Sequence, residues 1–429
     1  MKSSTRNFTI AVLAVLLTLC MLAQLSAQAQ QQHASGLSTY VVINLGTLGG
    51  SASNGFGGAN DREWVTGDAN LQGDQNEHAF LWRDGVMTDL GTLGGPNSSV
   101  GFPVKNNKGV IAGSAQISEI DPLGEFWGQL YTCTALPCEG YQYLNRPFLW
   151  QNGVMTELPK LGGNNALVDG VNLRGQIIGI SETAIQDPNC FPPQVLDWEA
   201  VIWGPRGEIQ ELPPLPGDSV GAALGLNDNR QVVGFSGACA FPSFALPGHA
   251  VLWENGLPTN LGSFGGKLGN FALGVNNRGQ IVGGSDLPGD ATGHAFLWQN
   301  GVMTDLGTLP GDFSSVADDI NDKGQVTGAS CDVNFNCRAF LWEKGVMIDL
   351  NTLLSPDSTL QLISGEGINS EGEITGTEMD PTTGDTRAFL AIPVGGSSAA
   401  QPTSSSKPKV PLPEKVRKLL QRRMRFGRL

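Results

Sequence analysis

The sequence predicts an all-β fold, a seven-bladed β-propeller of four-stranded blades whose ring is closed by an N-terminal strand completing the last blade. Three observations lead there. His-Ala-Phe-Leu-Trp at His78–Trp82 recurs at His294–Trp298, and degenerate copies place Trp150, Trp203, Trp253 and Trp342 at the same point, with Ala391 standing there in a seventh copy. An Asn followed seven residues later by a Gly is present in all seven copies, from Asn60/Gly67 to Asn369/Gly376. The tightest landmark spacing, Trp298 to Trp342, is 44 residues, which suits a four-stranded blade and is too long for one coil of a β-solenoid. A β-sandwich or an open repeat array is the competing arrangement.

From the N-terminus, residues 1–29 combine Lys2 and Arg6, an apolar run from about Ile10 to Leu25, and Ala27-Gln28-Ala29. This is the pattern of a Sec-type signal peptide, too short in its apolar run for a membrane span. Leu19 precedes Cys20 where a lipoprotein signal needs a small residue. Export places the protein outside the cell, at its surface or in the periplasm. Residues 30–39 read as a short linker and 40–394 as the propeller. Tyr40–Gly46 is an outer strand with nothing before it, while the seventh copy runs out at Ile392 with three strands. Joining the two ends protects both sheet edges.

The fifth copy shows the blade best: strand a about Leu273–Asn276, b Gln280–Gly284, c His294–Trp298 and d Val302–Leu306. Asn300-Gly301 is a two-residue hairpin signal between c and d. Between a and b, the landmark Asn accepts from the backbone ahead of it. Gly three residues on, at Gly109, Gly175, Gly279, Gly324 and Gly372, takes the left-handed conformation. Glu63 and Arg230 replace that Gly in two copies and should strain the turn or change its type. At the head of strand c, His78, His249 and His294 alternate with Arg146, Arg338, Arg387 and Glu199. A catalytic or metal-ligating His would not exchange with Arg, so these read as cross-strand pairs, His78 with Asp89, His294 with Asp305 and Arg338 with Asp349. The Phe and Trp of the motif share a strand face and read as inter-blade packing.

Length variation points to a functional face. Between Gly113 and Phe148 the second copy inserts a long b–c loop bearing Phe126, Trp127, Tyr131, Tyr141 and Tyr143, and the loops Ile185–Trp198 and Cys239–Pro247 extend the third and fourth. All emerge on one face. Exposed aromatics there would suit stacking on sugar rings or packing on a protein; the alternative is a loop folded on itself and pinned by Cys133 and Cys138. Six cysteines remain after Cys20, an even number that suits an oxidising compartment. Cys133 with Cys138 and Cys331 with Cys337 are spaced for local bridges, and Cys190 with Cys239 for a staple between neighbouring copies; free thiols are the other reading. No metal site is expected, since no CxxC pair or His cluster accompanies them.

Catalytic residues are not assigned. Asp169, Asp318, Asp319 and Glu366 fall near inner-strand ends, and Asp218 and Asp312 follow the connecting turns, where propeller hydrolases place acids around the tunnel mouth. A working pair needs roughly 5–10 Å between carboxyls. No nucleophile elbow, P-loop, dinucleotide fingerprint or zincin helix occurs. No cofactor is expected; the acidic loops Leu287–Asp290 and Asp380–Asp385 could hold calcium but lack EF-hand spacing.

The motifs His-Ala-Phe-Leu-Trp, Gly-Val-Met-Thr-Asp-Leu-Gly-Thr-Leu-Gly-Gly and Asn-x-x-Gly-Gln-x-x-Gly together resemble the HAF-repeat family of bacterial extracellular repeat proteins, over about Tyr40 to Pro393. The resemblance implies secretion and a repeat fold, and brings no reaction and no catalytic residues. The insertions of copies two to four and the basic tail depart from it.

The formal charge of −14 divides unevenly. Setting aside the signal residues and everything from Lys407 onward leaves 15 basic and 39 acidic residues, a body of about −24. Phosphate binding needs a basic surface, so nucleic acid is excluded as the body's partner. Residues 395–413 are a Gly/Ser/Pro-rich linker. The basic tail, 414–429, could form an amphipathic helix that contacts an anionic surface or membrane, or remain a disordered solubilising segment. These features predict a secreted or cell-surface binding module whose partner is a polysaccharide or an extracellular protein. A glycan-cleaving propeller and a structural component assembled by tail-to-body contact are the alternatives.

Overall fold

The computed structural model describes residues 38–102, 106–131, 142–239, 247–394 and 410–420 apart from 415 and 419. The expected signal peptide, Tyr141 and the Cys133/Cys138 pair lie outside these residues. The chain is all-β. Helix among the described residues is confined to two 3-10 turns, Phe126–Leu130 and Leu350–Leu353, and to part of the tail.

Each repeat builds an antiparallel meander, as in the fifth, where Phe271–Val275, Ile281–Asp286, Gly293–Gln299 and Val302–Gly307 pair in order. The described strands form five four-stranded sheets and one of eight, a propeller-like set. The eight-stranded sheet joins the first and seventh repeats through a single parallel bridge, Ala52 to Thr386. The N-terminal strand Thr39–Asn44 pairs antiparallel with Thr386–Val394, in register from Thr39/Val394 to Asn44/Phe389. It therefore stands where the seventh repeat lacks its own outer strand.

The asparagine landmark does more than close a turn. Asn276 Oδ1 accepts from the backbone N–H of Arg278 and of Gln280, both at 3.0 Å, the local role expected from the motif. Its Nδ2 donates 2.9 Å to the carbonyl of Asn321, the same residue of the next repeat. That link recurs from Asn60 to Asn106, Asn172, Asn227, Asn276, Asn321 and Asn369, and Asn369 donates 3.2 Å back to Asn60. The circuit is closed. Glu63 and Arg230 hold the left-handed turn conformation, φ 59° and 64°, so these two turns keep their type and carry the strain.

The second landmark is explained by contact. A Cβ on Gly283 would lie 2.1 Å from the Phe271 carbonyl oxygen, and one on Gly328 would meet Val316 O at 2.1 Å and the Phe340 ring at 2.8 Å. Only a bare backbone lets strand b pass between the inner strand and the strand-c Phe. Those rings, Phe80, Phe148, Phe296, Phe340 and Phe389, are fully buried. Trp203 and Trp253 donate their indole N–H to Pro159 and Pro213, on the connectors leaving the preceding repeats.

Inner strands carry a bulge three residues before the landmark Asn, seen as register shifts such as Val168/Gly170 and Ala317/Asp319. A bulge re-aims the extra side chain. Here that residue is Asp169, Leu224, Leu273, Asp318 or Glu366.

Candidate functional site

The loop inserted into the second repeat does not stand up as an aromatic platform. Phe126 and Trp127 are each 1% exposed and Tyr131 3%, while Tyr143 is half-buried. The expectation of an exposed sugar-stacking surface is thereby corrected for Phe126, Trp127 and Tyr131. Phe126 and Trp127 stack at 4.7 Å between ring centroids. They share one apolar cluster with Leu167, Leu224, Phe271, Leu273 and Val316, which come from the inner strands of repeats three to six. The loop of repeat two thus packs as a plug with the inner strands of repeats three to six. Burying rings of about 150–250 Å² each drives the closure.

Polar groups latch the plug. Trp127 Nε1 donates to Glu182, and Glu182 Oε2 accepts from the backbone of Asn164 and Asn165 at 3.0 and 2.7 Å. Glu125, on the plug, accepts from the backbone of Val195 and Leu196 at 2.9 and 2.8 Å. Gln194 Nε2 donates to both carboxyls, 3.1 Å to Glu125 and 2.9 Å to Glu182. Burial, then the hydrogen bond and charge of Glu125, push Glu182 up to about 8. Glu182 therefore keeps its proton at neutral pH. Tyr131 Oη donates 2.6 Å to Asn145, completing the attachment.

The extended loops are further tied by the disulfide Cys190–Cys239, which joins repeats three and four, and the sixth repeat carries Cys331–Cys337. Asp187 lies beside Cys190 and Cys239, but both sulfurs are committed to each other and offer no thiolate. Among the described residues, the large apolar side chains exposed on this rim are ones the sequence did not assign to a site: Ile120, Leu123, Ile185 and Phe191, with Phe313 and Val333 farther round. Their signal was present, as apolar residues at strand ends beyond the repeat pattern.

Of the candidate acids, Asp318, Asp319 and Glu366 lie close enough to interact. Asp319 is buried and accepts 2.9 Å from the Ile368 N–H of the next repeat, a structural bond. Glu366 is buried and accepts from Ser364 and Thr377 at 2.7 and 2.9 Å. Asp318 sits where burial, then Glu366 and Asp319, hold its carboxyl well above the usual range. Asp169 is raised to about 8 by burial alone. Asp218 and Asp312, expected near the channel, instead bind strand-c heads, Asp218 to His249 at 3.0 Å and Asp312 to Arg338 at 2.7 Å. A cavity of about 90 Å³ lies at the opposite mouth, where the landmark asparagines converge.

The repeated His residues form the expected pairs: His78 Nδ1 lies 2.9 Å from Asp89 and His294 Nδ1 3.0 Å from Asp305, with Arg338 2.8 Å from Asp349. In the loops considered for calcium, Asp290 accepts from the backbone of Lys267 and Leu268, and Asp380 from Thr382 and Thr383. Both acids cap turns. In the tail, Leu412, Val416 and Leu420 pack on Cys331, Cys337, Ile363 and Met379. Val416 and Leu420, four residues apart, thus turn toward the body, where their spacing matches that apolar hollow.

No family model and no curated protein matches the chain. Solved structures similar to it include a puromycin hydrolase, with 13% identity over 83% of this chain and 55% of that one, TM-score 0.49. This chain therefore spans little more than half the length of that protein. The β-propeller domain of the Trilobed protease from Pyrococcus furiosus aligns at 9% identity over 87% and 100%, TM-score 0.45. A gluconolactonase from Xanthomonas campestris aligns at 9% identity over 85% and 92%, TM-score 0.40.

Proposed function

We propose that this chain is a seven-bladed propeller of the HAF-repeat kind, exported from the cell, which binds a polysaccharide or an extracellular protein through the face bearing the extended loops of repeats two to four. The closed seven-membered asparagine circuit supports the blade number. The two disulfides among the described residues suit an oxidising compartment.

One observation carries the binding reading over the enzymatic one: the plug of Phe126 and Trp127 occupies the channel mouth on the elaborated face. A propeller hydrolase needs that mouth open, with paired acids reachable by substrate. Here the longest insertion is spent on sealing it, and Asp319 and Glu366 are buried and bonded within the fold. The Cys190–Cys239 bridge ties two of the extended loops together, and preorganisation before contact favours recognition. Ile120, Leu123, Ile185 and Phe191 supply the exposed apolar surface beside it.

The test is a panel of polysaccharides, cell-wall material and extracellular protein extracts against the wild type and a variant with these four residues changed to Ser, which spares the plug. Binding lost in the variant supports the reading. Retained binding moves the site elsewhere, and hydrolysis of a glycan by the wild type would replace the reading with the enzymatic alternative.

A further inference from the structure

The fourth repeat breaks the pairing rule of its neighbours. The strand-d residue facing the third motif position is Asp89, Glu157, Glu211, Asp305 or Asp349 in five repeats. In the fourth it is Asn260, opposite Val251, and in the seventh Asn44, opposite Phe389. With no carboxylate across the strand, His249 turns its Nδ1 to Asp218, 3.0 Å away on the incoming connector. A cleft of about 290 Å³ opens between His249, Asn260 and Lys267, close to the lower end of the ~300–1,000 Å³ typical of small-molecule sites.

Three polar groups meet in it. Asn260 Oδ1 is occupied by the Gly262 N–H at 2.7 Å, which fixes the amide orientation and leaves Nδ2 as a donor without a partner among the described residues. His249 has Nδ1 on Asp218 and Nε2 free, an acceptor in the neutral ring and a donor in the charged one. Lys267 is exposed and makes no ion pair among the described residues. Its backbone is held, by donation to Asp290 at 2.6 Å and by acceptance from Gly248 at 3.1 Å. A lysine left unpaired in so acidic a body, beside an amide donor and a two-way imidazole, is suited to a carboxylate next to hydroxyl groups.

We propose that this cleft binds a single carboxylate-bearing sugar residue, the carboxylate on Lys267 and the Asn260 amide and a ring hydroxyl on His249 Nε2. The body's charge of about −24 opposes an extended polyanion, whereas one acidic ring fits both the volume and the donors. The proposal deepens the binding reading above, since the cleft opens on the same face, beside the fourth repeat's extended loop.

The experiment titrates the full mature chain by calorimetry with glucuronate, glucose and glutamate, in the wild type, N260D and K267A. Asn260→Asp installs the residue found in the first, fifth and sixth repeats, so folding is expected to persist, and an unchanged thermal midpoint checks it. Lys267→Ala changes an exposed side chain and serves as the second probe. Expected are glucuronate binding in the wild type, at least about tenfold weaker binding of glucose and glutamate, and a loss of about tenfold or more in each variant. Equal binding of glutamate would assign the cleft to carboxylates of any kind and overturn the sugar. Glucuronate that fails to bind, or binds unchanged to N260D and K267A, overturns the site. If polysaccharide or protein still binds the wild type in that case, the broader reading stands; if neither binds, both fall.

Discussion

A single asparagine per repeat serves two repeats at once. Its Oδ1 satisfies two backbone donors of its own turn, and its Nδ2 reaches the carbonyl of the next copy. Asn276→Ala should therefore cost more than a surface turn residue, about 1–3 kcal/mol for the buried groups left unpaired, read as a lower urea midpoint. Gly283→Ala should cost at least as much. Its Cβ would meet a backbone oxygen at 2.1 Å, and overpacking of a tight core costs about 1–3 kcal/mol even where side chains can yield. Gly301→Ala is the control: φ is 83° with nothing within 4 Å, so only the ~1–2 kcal/mol of left-handed strain applies. A G283A midpoint equal to that of G301A would remove the steric account. The turn role of the asparagine was legible in Asn-x-x-Gly. The link to the next repeat was not, because its acceptor is a backbone carbonyl 45 residues away, and backbone acceptors carry no sequence signature.

At the scale of the element, the plug behaves as a loop of repeat two held by groups of repeat three. Its docking depends on the proton held by Glu182 beside Glu125; Asp121 and Asn165 also face this pair, and Lys160 and Arg146 lie on the same side. Above its pKa of about 8 Glu182 takes on a buried charge, which works against the latch. Hydrogen exchange of residues 121–131, corrected for intrinsic rate, should lose protection between pH 7 and 9 in the wild type and keep it in E182Q, whose amide stays neutral. Equal loss in both would show that the latch is not the pair. The sequence revealed that this loop was long and aromatic, and left open whether it stood out or folded in. Five rings in an insertion satisfy either outcome by composition; the decision rests on the apolar floor of Leu224, Phe271 and Leu273, contributed by repeats up to about 150 residues away. Cysteine spacing, by contrast, is a short-range constraint, and both bridges among the described residues fall where it placed them.

For the whole molecule, periodicity made the strand order and the ring closure readable, since each copy repeats the same burial demand. Which acids are buried was not readable, because inner-strand bulges re-aim single residues without altering the pattern. Those acids set how stability depends on pH. Burial, with neighbouring carboxylates adding to it at Glu182 and Glu199, raises Asp169, Glu182 and Glu199 to about 8 and Glu378 to about 7. Unfolded carboxyls titrate near ~4, so between about pH 4 and 8 the folded chain holds more protons than the unfolded one. Stability then falls as pH rises through that window. Asp89 runs the other way, lowered by His78 and Gly91 against the effect of burial, but it is outnumbered. The thermal midpoint should thus be higher at pH 5.5 than at pH 8.5. Salt of about 0.5 M shortens the screening length to roughly 4 Å, which suppresses the general repulsion of the acidic body and leaves the buried groups to act. A slope that survives salt and flattens in an E182Q/E199Q double variant would assign it to these carboxyls, whereas a slope that vanishes with salt alone would assign it to the net charge of the surface.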